Sequence, residues 1–279
     1  MRYLFSNLTA SRVNLLQNDF AAGMPSPLAF MGLAGFIAGK VGFGHFEARV
    51  MPILYSVTPS EGRIRPEYQF QTDKSAKGFA PVEIPESMRG HVEFGFLLDL
   101  PGLVDIAMLQ NALKKARLAG GIIFAKNGKD TFDIRSVPEG GAGLRMSPRG
   151  RAVIPGIRDD LRHLTCWTET HEFEQVQDAL AQRSTEDNPT PGMRVPAAIG
   201  YRLLTLPGQN PNPTYVRDPG VPHVFAEPGT GVAELVSVRN TALADLDEDA
   251  FSERMWSWSI SGRHVVAHSV YLPSQQAEA

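Results

Sequence analysis

Over the first 125 residues, apolar segments of strand length alternate with segments of helix length, and this alternation constrains the fold more than any other feature. Arg2–Leu8 reads as a strand that runs out into the polar Thr9-Ala10-Ser11-Arg12. The turn Gly23-Met24-Pro25-Ser26-Pro27 leads into an apolar helix over Ser26–Lys40, with Ser26 placed to cap it and Pro27 at the first helical position. Phe46–Val57 and His91–Leu100 read as strands, separated by a Pro- and Gly-containing loop or irregular hairpin over Arg63–Pro85. Val104–Leu118 carries Ile106, Leu109, Leu113 and Leu118 at helical spacing, with Lys114, Lys115 and Arg117 where cations suit the dipole. Ala119-Gly120-Gly121 is expected to stop that helix, and Ile122–Ala125 starts a further strand.

Strand and helix therefore follow one another as β-α-β-β-α-β, which predicts an α+β chain with a modified ferredoxin-like domain of the kind that RNA-recognition domains share. We expect this domain to occupy residues 1–145 and a large C-terminal elaboration, residues 146–279, to pack on it. The elaboration shows an amphipathic helix over Glu172–Arg183, a polar linker over Ser184–Gly192, and extended stretches at Val195–Leu206 and His223–Glu227. A short acidic helix at Leu246–Met255 and a last strand within Ser259–Leu272 complete it. Glycine and proline make up 47 of the 279 residues, so many positions go to turns and the regular elements should be short. Gly32, Gly35 and Gly39 recur at helical spacing in the first helix and predict a close approach to one of its faces.

A net charge of −3 argues at first sight against a nucleic-acid partner. The charge is uneven, however. Asn111–Thr165 holds eleven Lys and Arg against five acids, an excess of +6 that leaves −9 elsewhere. Within it, Ala142–Ile157 carries Arg145, Arg149 and Arg151 and no acid, a strip whose guanidinium forks match phosphate oxygens. The longest apolar stretch, Pro27–Val41, is shorter than the roughly 20 residues of a membrane span and contains Lys40, so no membrane partner is expected. With no apolar leader at the N-terminus, the expected location is cytoplasmic.

Cys166, the single cysteine, excludes an intramolecular disulfide. His163, Cys166 and His171 lie close in sequence but match no closed zinc pattern, and no metal or other cofactor is expected. Phosphate-binding loop, dinucleotide fingerprint and nucleophile elbow are all missing. His264 and His268, on the terminal strand, are the histidines best placed for a general base, with no fixed partner.

Six collinear stretches carry a family resemblance. They are Asn14 with Gly23-Met24-Pro25-Ser26-Pro27-Leu28-Ala29-Phe30-Met31-Gly32; Arg117-Leu118-Ala119-Gly120-Gly121-Ile122; Val153-Ile154-Pro155-Gly156; Val195-Pro196-Ala197-Ala198-Ile199-Gly200-Tyr201; Val216-Arg217-Asp218 with His223-Val224-Phe225-Ala226-Glu227; and Trp256-Ser257-Trp258-Ser259 with His268. In this order they resemble segments of the Cas-five-type (Csy family) backbone subunit of type I-F CRISPR surveillance complexes, a branch of the RAMP superfamily. Arg12 stands where that family has an asparagine, and Ile157-Arg158-Asp159-Asp160 replaces an apolar strand continuation, departures that would suit a variant I-F system.

The resemblance implies a non-catalytic subunit that binds the 5′ handle of crRNA and caps that end of the effector complex. Its implied partners are the crRNA, the large Cascade subunit and the adjacent backbone subunit, with target DNA near the PAM end left open. Candidate RNA-binding residues are Arg12, Asn14, Ser26, Arg117, Gly120, Gly121, Arg145, Arg149, Arg151, Arg217, Arg263 and His268. Phe30, Phe43 and Trp258 are candidate stacking aromatics. Two alternatives remain: a crRNA-processing endoribonuclease of the same superfamily using His264 or His268, and a stand-alone cytosolic enzyme on a ferredoxin-like core.

Overall fold

The structure, a computed structural model, describes residues 1–18, 21–60, 66–69, 80–83, 88–156, 180, 192–205, 223–261 and 264–267. Its organising element is strand β1 (Arg2–Asn14), longer than the sequence predicts. Tyr3, Phe5, Leu8, Ala10, Val13 and the following Leu15 all bury on one side, although their spacing is not a uniform two. Each extra step falls at a bulge, between Phe5 and Leu8 and between Ser11 and Val13. Asn7 and Arg12 take positive φ there, 54° and 61°. One inserted residue shifts the facing of everything after it, so two bulges keep a single apolar face in place.

Helix α1 (Pro27–Lys40) covers that face. The Ser26 hydroxyl accepts from Ala29 N–H at 3.1 Å and Pro27 occupies the first turn, as the local sequence predicts. A Cβ on Gly35 would lie 2.7 Å from the His45 carbonyl oxygen and one on Gly39 2.8 Å from the His45 ring, whereas Gly32 faces open space. The expected close approach is therefore made by the turn around His45, at two of the three glycines. Helix α2 (Ile106–Lys115) is capped by Asp105 and buries Leu109, Ala112 and Leu113 on the same side of the sheet.

Strand β2 (Arg49–Pro59) leads through the short antiparallel hairpin of β3 (Pro66–Gln69) and β4 (Ala80–Glu83) to β5 (Arg89–Asp99). Beyond α2 the chain does not stay helical to Leu118. Arg117–Leu118 form a two-residue strand, β6, that pairs with β7 (Gly121–Ala125). Ala119 and Gly120, at φ 45° and 81°, close this hairpin with the left-handed pair that a tight two-residue turn needs. Four strands lie in the order β2-β5-β1-β7, each antiparallel to its neighbours. Strand β8 (Asp133–Val137) pairs with the first half of β1, in line with β7 on the second half.

From β2 the same sheet continues. β9 (Arg151–Pro155) pairs with β2, followed outward by β11 (Ala226–Ser237), β10 (Met193–Leu203), β13 (His264–Ala267) and β12 (Trp258–Ser261). The chain is thus α+β, dominated by one large antiparallel sheet with few helices. On the face opposite α1, the buried Leu4, Met51, Ile53 and Leu97 pack with Val236, Val238, Leu243 and Phe251. The last two come from short helices α3 (Thr241–Ala244) and α4 (Glu248–Ser252). The acidic helix expected over Leu246–Met255 is observed as α4 alone, capped by Asp247. The expected helix Glu172–Arg183, the polar linker, and the His163, Cys166 and His171 cluster lie outside the described residues, apart from Leu180 and Gly192. Among the described residues, no helix is long and apolar enough to cross a membrane.

Candidate nucleic-acid interface

Two groups of candidate residues gather at opposite margins of β2-β5-β1-β7. The first is the corner where β1 ends beside the β6–β7 hairpin. Asn14 N–H donates to the Ala119 carbonyl at 3.0 Å, locking the hairpin turn to the strand end. The two glycines do different work: Gly120 supplies positive φ, and Gly121 lets β7 lie against β1. A Cβ on Gly121 would sit 2.7 Å from Val13 Cγ2 and 2.8 Å from the Ser11 carbonyl oxygen. Arg12 projects from its bulge, Arg117 from β6, and Arg89 stands opposite Asn14 in the β1–β5 register. All three arginines are exposed, and no described residue makes an ion pair or hydrogen bond with their guanidinium groups. A non-glycine residue held at positive φ costs of order 1 kcal/mol, and this corner holds two, Arg12 and Ala119.

The second group lines a cleft of about 1060 Å³ at the β2–β9 margin. Gly23 and Met24, from the turn before α1, form one wall, while Arg149, Gly150 and Arg151 form another. Gly150 lies flat on β2, where a Cβ would come within 2.6 Å of the Tyr55 ring and 2.9 Å of the Leu54 carbonyl. Arg239 also lines the cleft and donates to the carbonyls of Arg145 (2.5 Å) and Ser147 (2.7 Å), bracing the loop that carries Arg149. The Tyr55 hydroxyl lies 3.1 Å from Ser147 Oγ. Burial pushes its pKa up, so this phenol is neutral and the three arginines are the cleft's only charged lining groups among the described residues.

Other predicted residues have partners of their own. The Asn14 side chain accepts from Leu16 N–H at 3.1 Å, a local turn contact, and the Ser26 hydroxyl is spent on the α1 cap. Arg145 is ion-paired with Asp245. Arg217, Arg263 and His268 lie outside the described residues; His264 begins β13. Phe30, expected as a stacking candidate, is a correction: it is 1% exposed and meets Phe94 edge-on at 5.8 Å inside the core. Phe43 packs against the core beside Gly102, and half-buried Trp258 meets exposed Phe46 edge-on at 6.1 Å.

Sequence reasoning missed Arg89, His91, Phe124 and Arg239. Ile122-Ile123-Phe124 is apolar at every position, so alternation cannot tell which side chains face out. Only the register, with Ala10 opposite Ile123 and Thr9 opposite Phe124, decides it. No protein-family model matches the chain, and no curated protein matches it.

Proposed function

We propose that this chain is a non-catalytic subunit of a type I-F CRISPR surveillance complex that binds the 5′ handle of crRNA and caps that end of the assembly. One observation carries the reading: Gly23–Met24 and Arg149–Arg151, more than 120 residues apart, line one cleft whose charged groups, among the described residues, are all cationic. The first pair belongs to a stretch that carries the family resemblance, and the arginines belong to the basic strip. The guanidinium groups of Arg149 and Arg151, which have no partner among the described residues, lie beside glycines that admit a close backbone and suit a single-stranded phosphate chain. The order β2-β5-β1-β7, with α1 and α2 on one face, supports assigning residues 1–145 to a modified ferredoxin-like unit of the RAMP type. The acidic remainder of the chain then faces protein subunits and solvent.

The test is handle-RNA binding by the full chain, alone and co-expressed with the large and adjacent backbone subunits. The double variant Arg149→Ala/Arg151→Ala should weaken binding and flatten the salt dependence by about 1.4 in the log–log slope, two phosphate contacts at about 0.7 each. Unchanged affinity and slope would refute the reading. Metal-independent cleavage of repeat RNA that disappears in His268→Ala would replace it with the endoribonuclease alternative.

A further inference from the structure

The sheet face opposite α1 and α2 changes character along its length. At one end Leu4, Met51, Ile53 and Leu97 are sealed beneath α3 and α4. Past the first β1 bulge, the outward positions become polar. Cross-strand register sets two rows there. One runs Arg117, Ile122, Ser11, His91, Thr58 across β6, β7, β1, β5 and β2. The next runs Phe124, Thr9, Glu93, Ser56. Directly paired residues in an antiparallel sheet point to the same side, so all nine share this face. Ile122 is 47% and Phe124 49% exposed. Two positions apart on one strand, they stand about 6.7 Å from each other.

We infer that this open face is a second RNA-contacting surface, on which unpaired bases of a single-stranded segment stack on Phe124 and Ile122 while Arg117, Arg12 and Arg89 take the phosphates. The inference rests on the handle-binding reading and adds to it a surface that adjoins the cleft at Ser56 and extends across the sheet to β6. Charge favours RNA as the occupant over a protein. The only acid in the two rows, Glu93, is already held by Lys126 at 2.8 Å, which leaves the neighbouring arginines uncompensated among the described residues. The two apolar side chains are flanked by Thr9 and Ser11 rather than by more apolar surface, so they offer a base-sized platform and too little apolar area for a protein core. His91, whose Nδ1 lies 3.2 Å from Ser11 Oγ, adds a ring nitrogen that can meet a base edge or a phosphate.

The test uses the full chain, in complex where its partners are needed for expression, with a 5′-handle RNA extended by a single-stranded tail bearing 5-iodouridine. Irradiation should cross-link the tail to the peptide containing Phe124. Phe124→Ala should weaken binding of the tailed RNA about 5- to 150-fold, the range for losing one aromatic stack, and leave handle-only RNA within twofold. Phe124→Leu, which keeps an apolar side chain, should lose the cross-link with the fold intact. If the tailed RNA binds both variants as tightly as the parent and the cross-link maps elsewhere, the inference fails, while loss of binding in Arg149→Ala/Arg151→Ala keeps the cleft reading alive. Protection of this peptide by a partner subunit without RNA, at unchanged RNA affinity, would make the face a protein interface and equally overturn it. RNA binding that survives the loss of both cleft arginines but falls in Phe124→Ala would sink the cleft reading and retain this one.

Discussion

Glu248→Gln is the substitution whose effect can be worked most fully from the structure. Arg2 is 1% exposed at its side chain, and its guanidinium donates to Glu248 through both arms, at 3.0 and 2.8 Å. The same group reaches the Gly140 carbonyl at 3.3 Å and lies 4.8 Å from the centre of the Phe251 ring. Glu248 also accepts from Gly140 N–H at 2.6 Å and from the Ser252 hydroxyl at 2.8 Å. Burial alone would raise this carboxyl's pKa, but the hydrogen bonds from Arg2, Gly140 and Ser252, together with the Arg2 charge, outweigh it and hold the group at about 2, against an ordinary 4.5. A difference of 2.5 units corresponds to about 3.4 kcal/mol. The Glu248 side chain is 38% exposed, so solvent screening brings the useful part to about 1.5–2 kcal/mol. Because the folded-state pKa is depressed, this contribution is complete above about pH 4.5 and drains away as the pH falls toward 2. Urea unfolding of parent and variant, followed by the fluorescence of the three tryptophans, should show a gap of about 2 kcal/mol at pH 7 that narrows steadily below pH 4.5. A gap under 0.5 kcal/mol at pH 7, or one that does not narrow in acid, would refute the claim that this ion pair ties the start of β1 to α4.

Two further outcomes are expected of the full chain. Gly121→Ala should destabilise it by about 1–3 kcal/mol, because the added methyl meets Ser11 backbone and Val13, whereas Gly32→Ala, in open space, should stabilise it by about 0.5–1 kcal/mol; thermal unfolding of the two side by side checks both signs. Trp256→Phe should cost about 1–3 kcal/mol in the same assay, since the fully buried indole N–H donates to the Val153 carbonyl at 2.8 Å and its loss strands a buried acceptor between β9 and the segment that bridges to β2.

Local rules make part of this architecture readable in the sequence. Ser26-Pro27 announces α1 because a cap and a first-turn proline act within four residues. Alternation alone ends β1 near Leu8 because two bulges break the strict period of two, although the spacing 3, 5, 8, 10, 13, 15 of its core residues records them. The end of α2 misleads because Ala119-Gly120 serves equally to stop a helix and to close a hairpin, and the choice depends on β1 lying alongside. Strand β11 shows itself only at its start, His223–Glu227, because Pro228, Gly229 and Gly231 disguise a central, largely buried strand. Cross-strand pairing over such distances has no local signature, and the order of β9 to β13 follows from it. The basic strip is visible as composition, but which of its guanidinium groups remain available depends on contacts between distant segments.

Those contacts turn a charge count into a geometry. Within the +6 segment, Arg145 is tied to Asp245 and Lys126 to Glu93, acids from outside the segment that offset two of its six excess charges, while Arg135 is tied to Asp133 within it. The arginines left over among the described residues separate, Arg117 to the β6 margin and Arg149 and Arg151 to the β2–β9 margin. Four strand spacings, about 19 Å, lie between β6 and β2. A ligand that engaged both margins would cross the sheet by the row between them, where Ser11, His91 and Thr58 present two hydroxyls and an imidazole and no acid. Ser56 sits beside Thr58 on that face and also lines the cleft, so the open face and the cleft meet at this residue. Continuity of this kind is what a single strand of RNA requires and a compact small-molecule substrate does not. On the proposed handle-binding reading, this row is the path that a strand engaging both margins would take.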